Sequence, residues 1–291
     1  MIDGVLVCDK PAGMTSHDVV ARVRHLAGQR RVGHGGTLDP PATGVLVVAL
    51  GRATRLLPYL PMEPKRYLAE IAFGAETDTL DAAGRVVATA DAAVDAAALQ
   101  RALGGLLGVQ QQVPPMVSAV KVGGERLYAK ARRGETVERE PRTVTVHSLE
   151  LLELAGGEQP VATVAVACSG GTYVRVLAAD LGRALGTLAH LASLRRTRVG
   201  SFDQADAHPL DELRALADAG RLDQVVVEPA TALAPLGVRP LSPREAAALA
   251  SGQTLSPTGR DGPVAAVGPD GRLVGVIQDG AGRARSKVVM A

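Results

Sequence analysis

Apolar positions in this chain gather into short runs whose period changes along the sequence. Residues 5–8 are uniformly apolar and are closed by Asp9-Lys10-Pro11-Ala12-Gly13, a pattern that predicts a strand ending in a turn. Ser16 then reads as the cap of a helix in which Val19, Val20, Val23, Leu26 and Ala27 recur at helical spacing through residue 28. From residue 30 to 44 periodicity disappears and Gly and Pro dominate, before residues 45–50 resume as a wholly apolar strand. Residues 65–73 alternate, which places Tyr67, Ala69, Ile71 and Phe73 on one face. A helix is expected over about 95–107, strands over 144–154 and 161–168 joined by Gly156-Gly157, and a helix over 210–219.

Near residue 230 the pattern is interrupted by Pro229, Pro235, Pro240 and Pro243. A short helix at 243–251 and two strands around Gly268-Pro269-Asp270-Gly271 follow. Strands succeed one another without a strand-helix-strand repeat, so the expected class is α+β with a mixed, largely antiparallel central sheet and flanking helices. The composition change divides the chain into a large domain over 1–230 and a small β-rich domain over 235–291.

Composition narrows the possibilities without choosing among them. With 291 residues, 46% of them apolar, the chain can fill a sizeable core, which excludes disorder as its main state. The net charge is only +2, yet 27 of the 32 cationic residues are Arg, whose planar forks suit phosphates and stack on bases. The same bias follows from an Ala-, Gly- and Arg-rich composition of GC-rich origin, so composition leaves the partner open. Cys8 and Cys168 are isolated thiols and make neither a disulfide framework nor a metal site. No run approaches the roughly 18 apolar residues of a membrane span and no leader pattern opens the chain, so a cytoplasmic location is expected.

The aperiodic stretch carries the candidate chemistry. Its glycines let backbone approach a ligand closely, and Pro40-Pro41 stiffens the exit and keeps Asp39 out of helical geometry. By residue type alone Asp before Pro is ordinary turn chemistry. Residues 33–44, Gly-His-Gly-Gly-Thr-Leu-Asp-Pro-Pro-Ala-Thr-Gly, resemble the signature of the TruB family of tRNA pseudouridine synthases. Asp9-Lys10-Pro11-Ala12-Gly13-Met14-Thr15-Ser16 resembles that family's N-terminal motif, and Ser169-Gly170-Gly171-Thr172-Tyr173-Val174-Arg175 its third, in the same order and spacing from about residue 3 to 205. Gly35 and Pro41 depart from the pattern, standing where Thr or Ala and Leu or Met are more usual.

The resemblance implies the pseudouridine synthase fold, with an RNA-binding insertion at about 110–143 and a PUA-like module at the C-terminus. It implies isomerisation of uridine 55 in the T loop of tRNA, through a flipped base and Asp39 as the ionised carboxylate that does the chemistry. Arg175 is implied as the cation beside Asp39, on one face of a strand-like run with Tyr173. Tyr67 is implied as the platform that stacks on the base, His34 as a wedge into the RNA loop, and Tyr173, Leu194 and Lys10 as further substrate contacts. On residue type alone Tyr67 and Tyr173 read equally as packing residues, Arg175 as a surface charge and Leu194, at helical spacing, as core. Residues 121–142 hold seven cations, Lys130 and Arg132 among them, against four glutamates, and Arg195, Arg196 and Arg198 form a second basic cluster.

No cofactor or metal is expected, since the chain has no P-loop, no Gly-x-Gly-x-x-Gly after a strand and no His and Cys cluster at ligand spacing. The expected partner is the T arm of tRNA, met by a monomer. Two other classes compete: an RNA-binding protein or tRNA-folding chaperone that needs no catalysis, and a carboxylate-dependent glycoside or nucleoside hydrolase. The first has no reason to keep a carboxylate beside phosphates. The second usually needs two carboxylates, and Asp78 and Asp81 read as part of a surface turn.

Overall fold

The computed structural model describes residues 1–116, 121–122, 125–126, 133 and 137–290. It opens with strand β1 (Gly4–Lys10), helix α1 (Ser16–Leu26), β2 (Val32–Gly35), β3 (Thr43–Leu50), β4 (Lys65–Phe73), β5 (Ala75–Thr77), β6 (Val86–Thr89), α2 (Ala96–Gly105) and β7 (Gly108–Gln112). The two-residue strands β8 (Lys121–Val122) and β9 (Glu125–Arg126) follow, then β10 (Arg142–Ala155), β11 (Val161–Cys168), α3 (Val174–Ala184), β12 (Ala189–Val199), β13 (Phe202–Asp203) and β14 (His208–Pro209). The chain closes with α4 (Leu210–Asp218), α5 (Pro229–Leu233), β15 (Val238–Pro240), α6 (Pro243–Ala250), β16 (Pro263–Val267), β17 (Leu273–Gly280) and β18 (Arg283–Val289). These elements group into two units, one of Met1–Leu38, Val45–Met62 and Gly200–Ala291, the other of Asp39–Gly44 and Glu63–Val199.

In the first unit β14 runs parallel to β1, β1 neighbours β3, and β2 pairs antiparallel with β3 from Val32↔Leu50 to Gly35↔Val47. Leu6 and Cys8 of β1, Leu46 and Val48 of β3, and Val19, Val20 and Val23 of α1 share a core with Leu213 of α4. Burying each such side chain contributes about 1.5–3 kcal/mol. The C-terminal sheet has the order β15-β16-β17-β18, antiparallel except for the parallel β15/β16 pair, and Leu249 of α6 shares a core with its Val264, Ala266 and Ile277.

The second unit is built on the antiparallel order β12-β4-β11-β10-β7. Alternation explains its faces: along β4, Tyr67, Ala69, Ile71 and Phe73 are buried, and along β11, Ala162, Val164, Val166 and Cys168 are. Helix α3 buries Val174, Leu177, Ala178 and Leu181, spaced for one face. Thr43 and Gly44, the first residues of β3, pair in parallel with Arg195 and Arg196 of β12. The α+β class with a mixed, largely antiparallel sheet and a β-rich C-terminal sheet is as expected.

Several local expectations need correction. Thr15, not Ser16, caps α1, in a capping box in which its side chain accepts from the Asp18 N–H and Asp18 accepts from the Thr15 N–H. The stretch 30–44 contains β2, whose Gly and His positions are held by pairing to the apolar β3. Tyr173 and Arg175 do not share a strand face: Tyr173 is the N-cap of α3 and Arg175 lies in its first turn. Leu194 sits in β12 rather than at helical spacing. Asp9 and Lys10 still belong to β1, and β15 and β18 extend a C-terminal sheet for which only two strands were expected. Within the expected insertion at 110–143, residues 117–120, 123–124, 127–132 and 134–136 lie outside the described residues, Lys130 and Arg132 included.

Candidate active site

The loop that carries Asp39 is fastened from within the chain just before it. Ser16, buried in the first turn of α1, donates from Oγ to the Leu38 carbonyl at 3.1 Å and accepts from the Leu38 N–H at 2.9 Å. One hydroxyl thereby satisfies both backbone groups of a buried residue. Beyond it the Ala42 N–H donates to the Asp39 carbonyl at 3.1 Å, closing a turn over Pro40-Pro41. Gly44 ends the loop with φ +99, and a Cβ there would run into the Arg196 carbonyl oxygen on β12. Only glycine allows so close an approach at that backbone angle.

Asp39 and Arg175 meet directly. Arg175 Nη2 lies 2.7 Å from Asp39 Oδ2, with the guanidinium 3% exposed and the carboxylate 42% exposed. A charge-assisted bond of this length from a buried, permanently charged donor fixes the carboxylate while part of its surface stays exposed. The other arm of Arg175 reaches a second acid: Nη1 is 3.4 Å from Asp81 Oδ2 and donates to the Thr79 carbonyl at 3.4 Å. Asp81 is not the surface residue its Thr- and Ala-rich surroundings suggested but is buried. Its Oδ1 accepts from Thr79 Oγ1 at 2.6 Å and from the Ala83 N–H at 3.1 Å. Its carbonyl accepts from Thr77 Oγ1, and Leu80 beside it adopts a left-handed φ of 62. The Leu191 N–H of β12 donates to the Leu80 carbonyl at 3.0 Å, so the turn is tied to the sheet.

Tyr67, on β4, is buried and stands opposite Arg196 of β12, while Leu194 stands opposite Ala69 one step along the same face. The Tyr67 phenol hydrogen-bonds the Arg196 guanidinium, and the Asp39 carboxylate lies near enough for its charge to oppose ionisation of the phenol. Burial pushes the Tyr67 phenol above its ordinary value, against the opposing pull of Arg196, so the group remains a protonated phenol. Burial likewise lowers Arg196, with Tyr67 opposing, and burial together with repulsion from Arg196 lowers Lys65, two residues before Tyr67. Leu194 is half-buried. The Tyr173 backbone is held by the buried Gln112, whose Oε1 accepts from the Tyr173 N–H at 3.0 Å. The second unit thus brings together Asp39, Arg175, Tyr67 and Leu194, with Tyr173 two residues from Arg175.

His34 and Lys10 belong to the first unit. His34, on β2, packs edge-on against His17 with ring centroids 5.2 Å apart. Lys10 is fully buried at the end of β1, its Nζ donating to the carbonyls of Pro11 at 2.9 Å and Met14 at 2.6 Å, where it ties the turn that follows. Sequence reasoning missed the parts played by Asp81, Arg196, Ser16 and Gln112. Of these only Ser16 had a local signal, since Thr15 and Asp18 complete a capping box without it. Among the described residues no three His, Cys, Asp or Glu side chains are grouped to hold a metal ion, and no helix is long and apolar enough to cross a membrane.

Comparison with known proteins gives a consistent picture along the chain. A family model described as "TruB family pseudouridylate synthase (N terminal domain)" matches residues 24–174, "tRNA pseudouridylate synthase B C-terminal domain" matches 175–234, and "tRNA Pseudouridine synthase II, C terminal" matches 236–291. A protein of Thermobifida fusca (strain YX) named tRNA pseudouridine synthase B is 48% identical over 297 residues, covering 100% of this chain and 99% of the relative. One of the same name from Mycobacterium sp. (strain KMS) is 47% identical over 289 residues, covering 99% and 96%. Among solved structures, a chain of a Cbf5-Nop10-Gar1 complex is similar with a TM-score of 0.74 and 26% identity, covering 99% of this chain and 84% of that one. Matches spanning the loop of Asp39, the sheet of Tyr67 and the C-terminal segments together show that the chain belongs to the TruB family of pseudouridylate synthases.

Proposed function

We propose that this chain is an isomerase that converts uridine 55 in the T loop of tRNA to pseudouridine, with Asp39 as the residue that does the chemistry. The observation that carries the proposal is the half-exposed Asp39 carboxylate held 2.7 Å from a guanidinium that is itself 3% exposed. The reaction breaks the bond from the sugar to N1 of uracil, forms one to C5, and moves a proton from C5 to N1, with no net oxidation or loss of atoms. An anionic carboxylate can act as covalent partner or as base in such a sequence. Arg175 stabilises the anion through Oδ2, and the side chain keeps 42% of its surface exposed for a substrate to approach.

The uridine has to leave its stack before its glycosidic bond can be reached, and an aromatic face replaces the lost stacking. Tyr67 supplies that face, Leu194 lies along the same face of the sheet, and Tyr173 and His34 add contacts to the nucleotide and its loop. Lys10, enclosed under its own turn, serves recognition by shaping the chain ahead of α1. The C-terminal module over 235–291 and the segment at 110–143 contact the RNA beyond the target base, and the enzyme acts as a cytoplasmic monomer. The relatives' shared name, tRNA pseudouridine synthase B, supports the choice of substrate. Carbodiimide labelling and primer extension on a T-arm stem-loop RNA test the reading. A stop at the T-loop uridine is expected with the wild type and none with Asp39→Asn, while both retain the RNA. A stop produced by Asp39→Asn overturns the assignment.

A further inference from the structure

Among the described residues, the largest fully buried charged side chain plays no part in the scheme above. Arg196 is 0% exposed on β12, directly opposite Tyr67 in antiparallel register. Side chains opposite one another in such a pair lie on the same face of the sheet. Burying a guanidinium is costly, and a well-packed apolar residue in its place is often neutral or stabilising, so its presence asks for a role. A bland strand position would carry an apolar residue here, as the buried Ala69 and Ile71 on β4 and Val164 and Val166 on β11 do.

The geometry points to Arg196 as a positioning residue for Tyr67, one that fixes the plane of the ring and the direction of its hydroxyl hydrogen. This rests on the reading of Tyr67 as the platform for the flipped base. The direction follows from donor chemistry. A guanidinium has five N–H donors and no acceptor, so in the bond between the two the Tyr67 oxygen accepts. The phenol's own hydrogen is therefore free to point away from Arg196. A ring anchored at its far end by a buried fork cannot tilt about its Cβ as a packed phenylalanine could. Arg196 is itself anchored, because its backbone pairs with Gly44, which closes the Asp39 loop and leaves no room for a side chain between the strands. One residue thus connects the end of the carboxylate loop to the orientation of the aromatic ring.

A double-mutant cycle with Tyr67→Phe tests this, read in single turnover on a T-arm stem-loop together with RNA affinity. Arg196→Met is expected to lower the rate constant roughly 10- to 100-fold, the range for a lost hydrogen bond to a charged group, with the Kd for RNA changed less than about threefold. In the Tyr67→Phe background, where the accepting oxygen is gone, the same change is expected to cost less than about threefold. A second readout needs no RNA: with tyrosine labelled at Cζ, the Tyr67 resonance, assigned by Tyr67→Phe, moves in Arg196→Met. Full loss of rate carried over into the Tyr67→Phe background, or an unmoved Tyr67 resonance, overturns the proposal. If Arg196→Met does not fold, Arg196→Lys carries the same cycle, since it keeps the charge but loses the fork. Should the wild type form no pseudouridine, the reaction assigned above fails, while the Cζ shift still decides whether Arg196 holds the Tyr67 hydroxyl.

Discussion

Asp81→Asn separates the geometry of the Arg175 cluster from its charge. The substitution keeps the volume, and Oδ1 can still accept from Thr79 Oγ1 and the Ala83 N–H, so the turn keeps its internal bonds. What disappears is both the charge and the acceptor facing Arg175 Nη1 at 3.4 Å, since an amide NH2, a donor like the guanidinium, takes the place of Oδ2. Removing a whole partner from a buried pair costs about 3–5 kcal/mol, but here the contact is long and Arg175 keeps its bonds to Asp39 and the Thr79 carbonyl, so about 1–3 kcal/mol is expected. For a chain of this order of size that lowers Tm by roughly 2–12 °C. The effect on rate has a separate origin: with one arm released, the guanidinium is no longer braced from behind and Asp39 loses its fixed orientation. A rate constant lower by roughly 10- to 100-fold is expected, with RNA affinity nearly unchanged. Differential scanning fluorimetry and single-turnover tritium release from C5 of the labelled T-loop uridine read the two effects. A variant with wild-type Tm and wild-type rate would refute the claim that Asp81 braces Arg175.

Gly44→Ala should be among the most damaging single-atom additions: the positive φ alone costs about 1–2 kcal/mol and the Cβ meets backbone of β12 rather than a side chain that could move. Its melting curve and product yield should both fall, and wild-type values in both would show that the strands can part without consequence. Ser16→Ala leaves the N–H and carbonyl of buried Leu38 without their hydroxyl partner, a loss of about 1–3 kcal/mol measurable by urea unfolding. A change within error would mean that the loop is held elsewhere. Burial pushes the thiol of Cys8 to about 12 and that of Cys168 to about 11, so at pH 8 both remain protonated and neither should react with a disulfide reagent until denaturant is added. Rapid labelling of the native protein at that pH would contradict the packing around β1 and β11.

The parts of this molecule that were legible in the sequence are those set by local periodicity. Alternation over residues 65–73 identified β4 and the face that carries Tyr67, and the loss of period over 30–44 marked the loop of Asp39. The pairing of Asp39 with Arg175 was anticipated on the wrong element. Val174 and Val176 favour extended backbone locally, whereas Val174, Leu177, Ala178 and Leu181 form the stripe that docks α3, and packing decided the outcome. Asp81 was illegible because nothing within its turn announces burial. It meets Arg175, 94 residues away, and the bridge to Leu191 ties it to β12. Arg196 was read only as one of three residues in a basic cluster because Arg-Arg-x-Arg carries no mark of which side chain faces inward. Its partner across the sheet supplies that mark.

Leu80 carries a consequence for how the protein can change. A branched side chain in the left-handed region is held there by its surroundings, and Asn, which tolerates that backbone angle, would relieve the tension. Yet the backbone bend at Leu80 aims both the Thr79 carbonyl and the Asp81 carboxylate at one guanidinium. Because Asn favours that same bend, heat tolerance could be gained at this position while both acceptors keep their aim at Arg175.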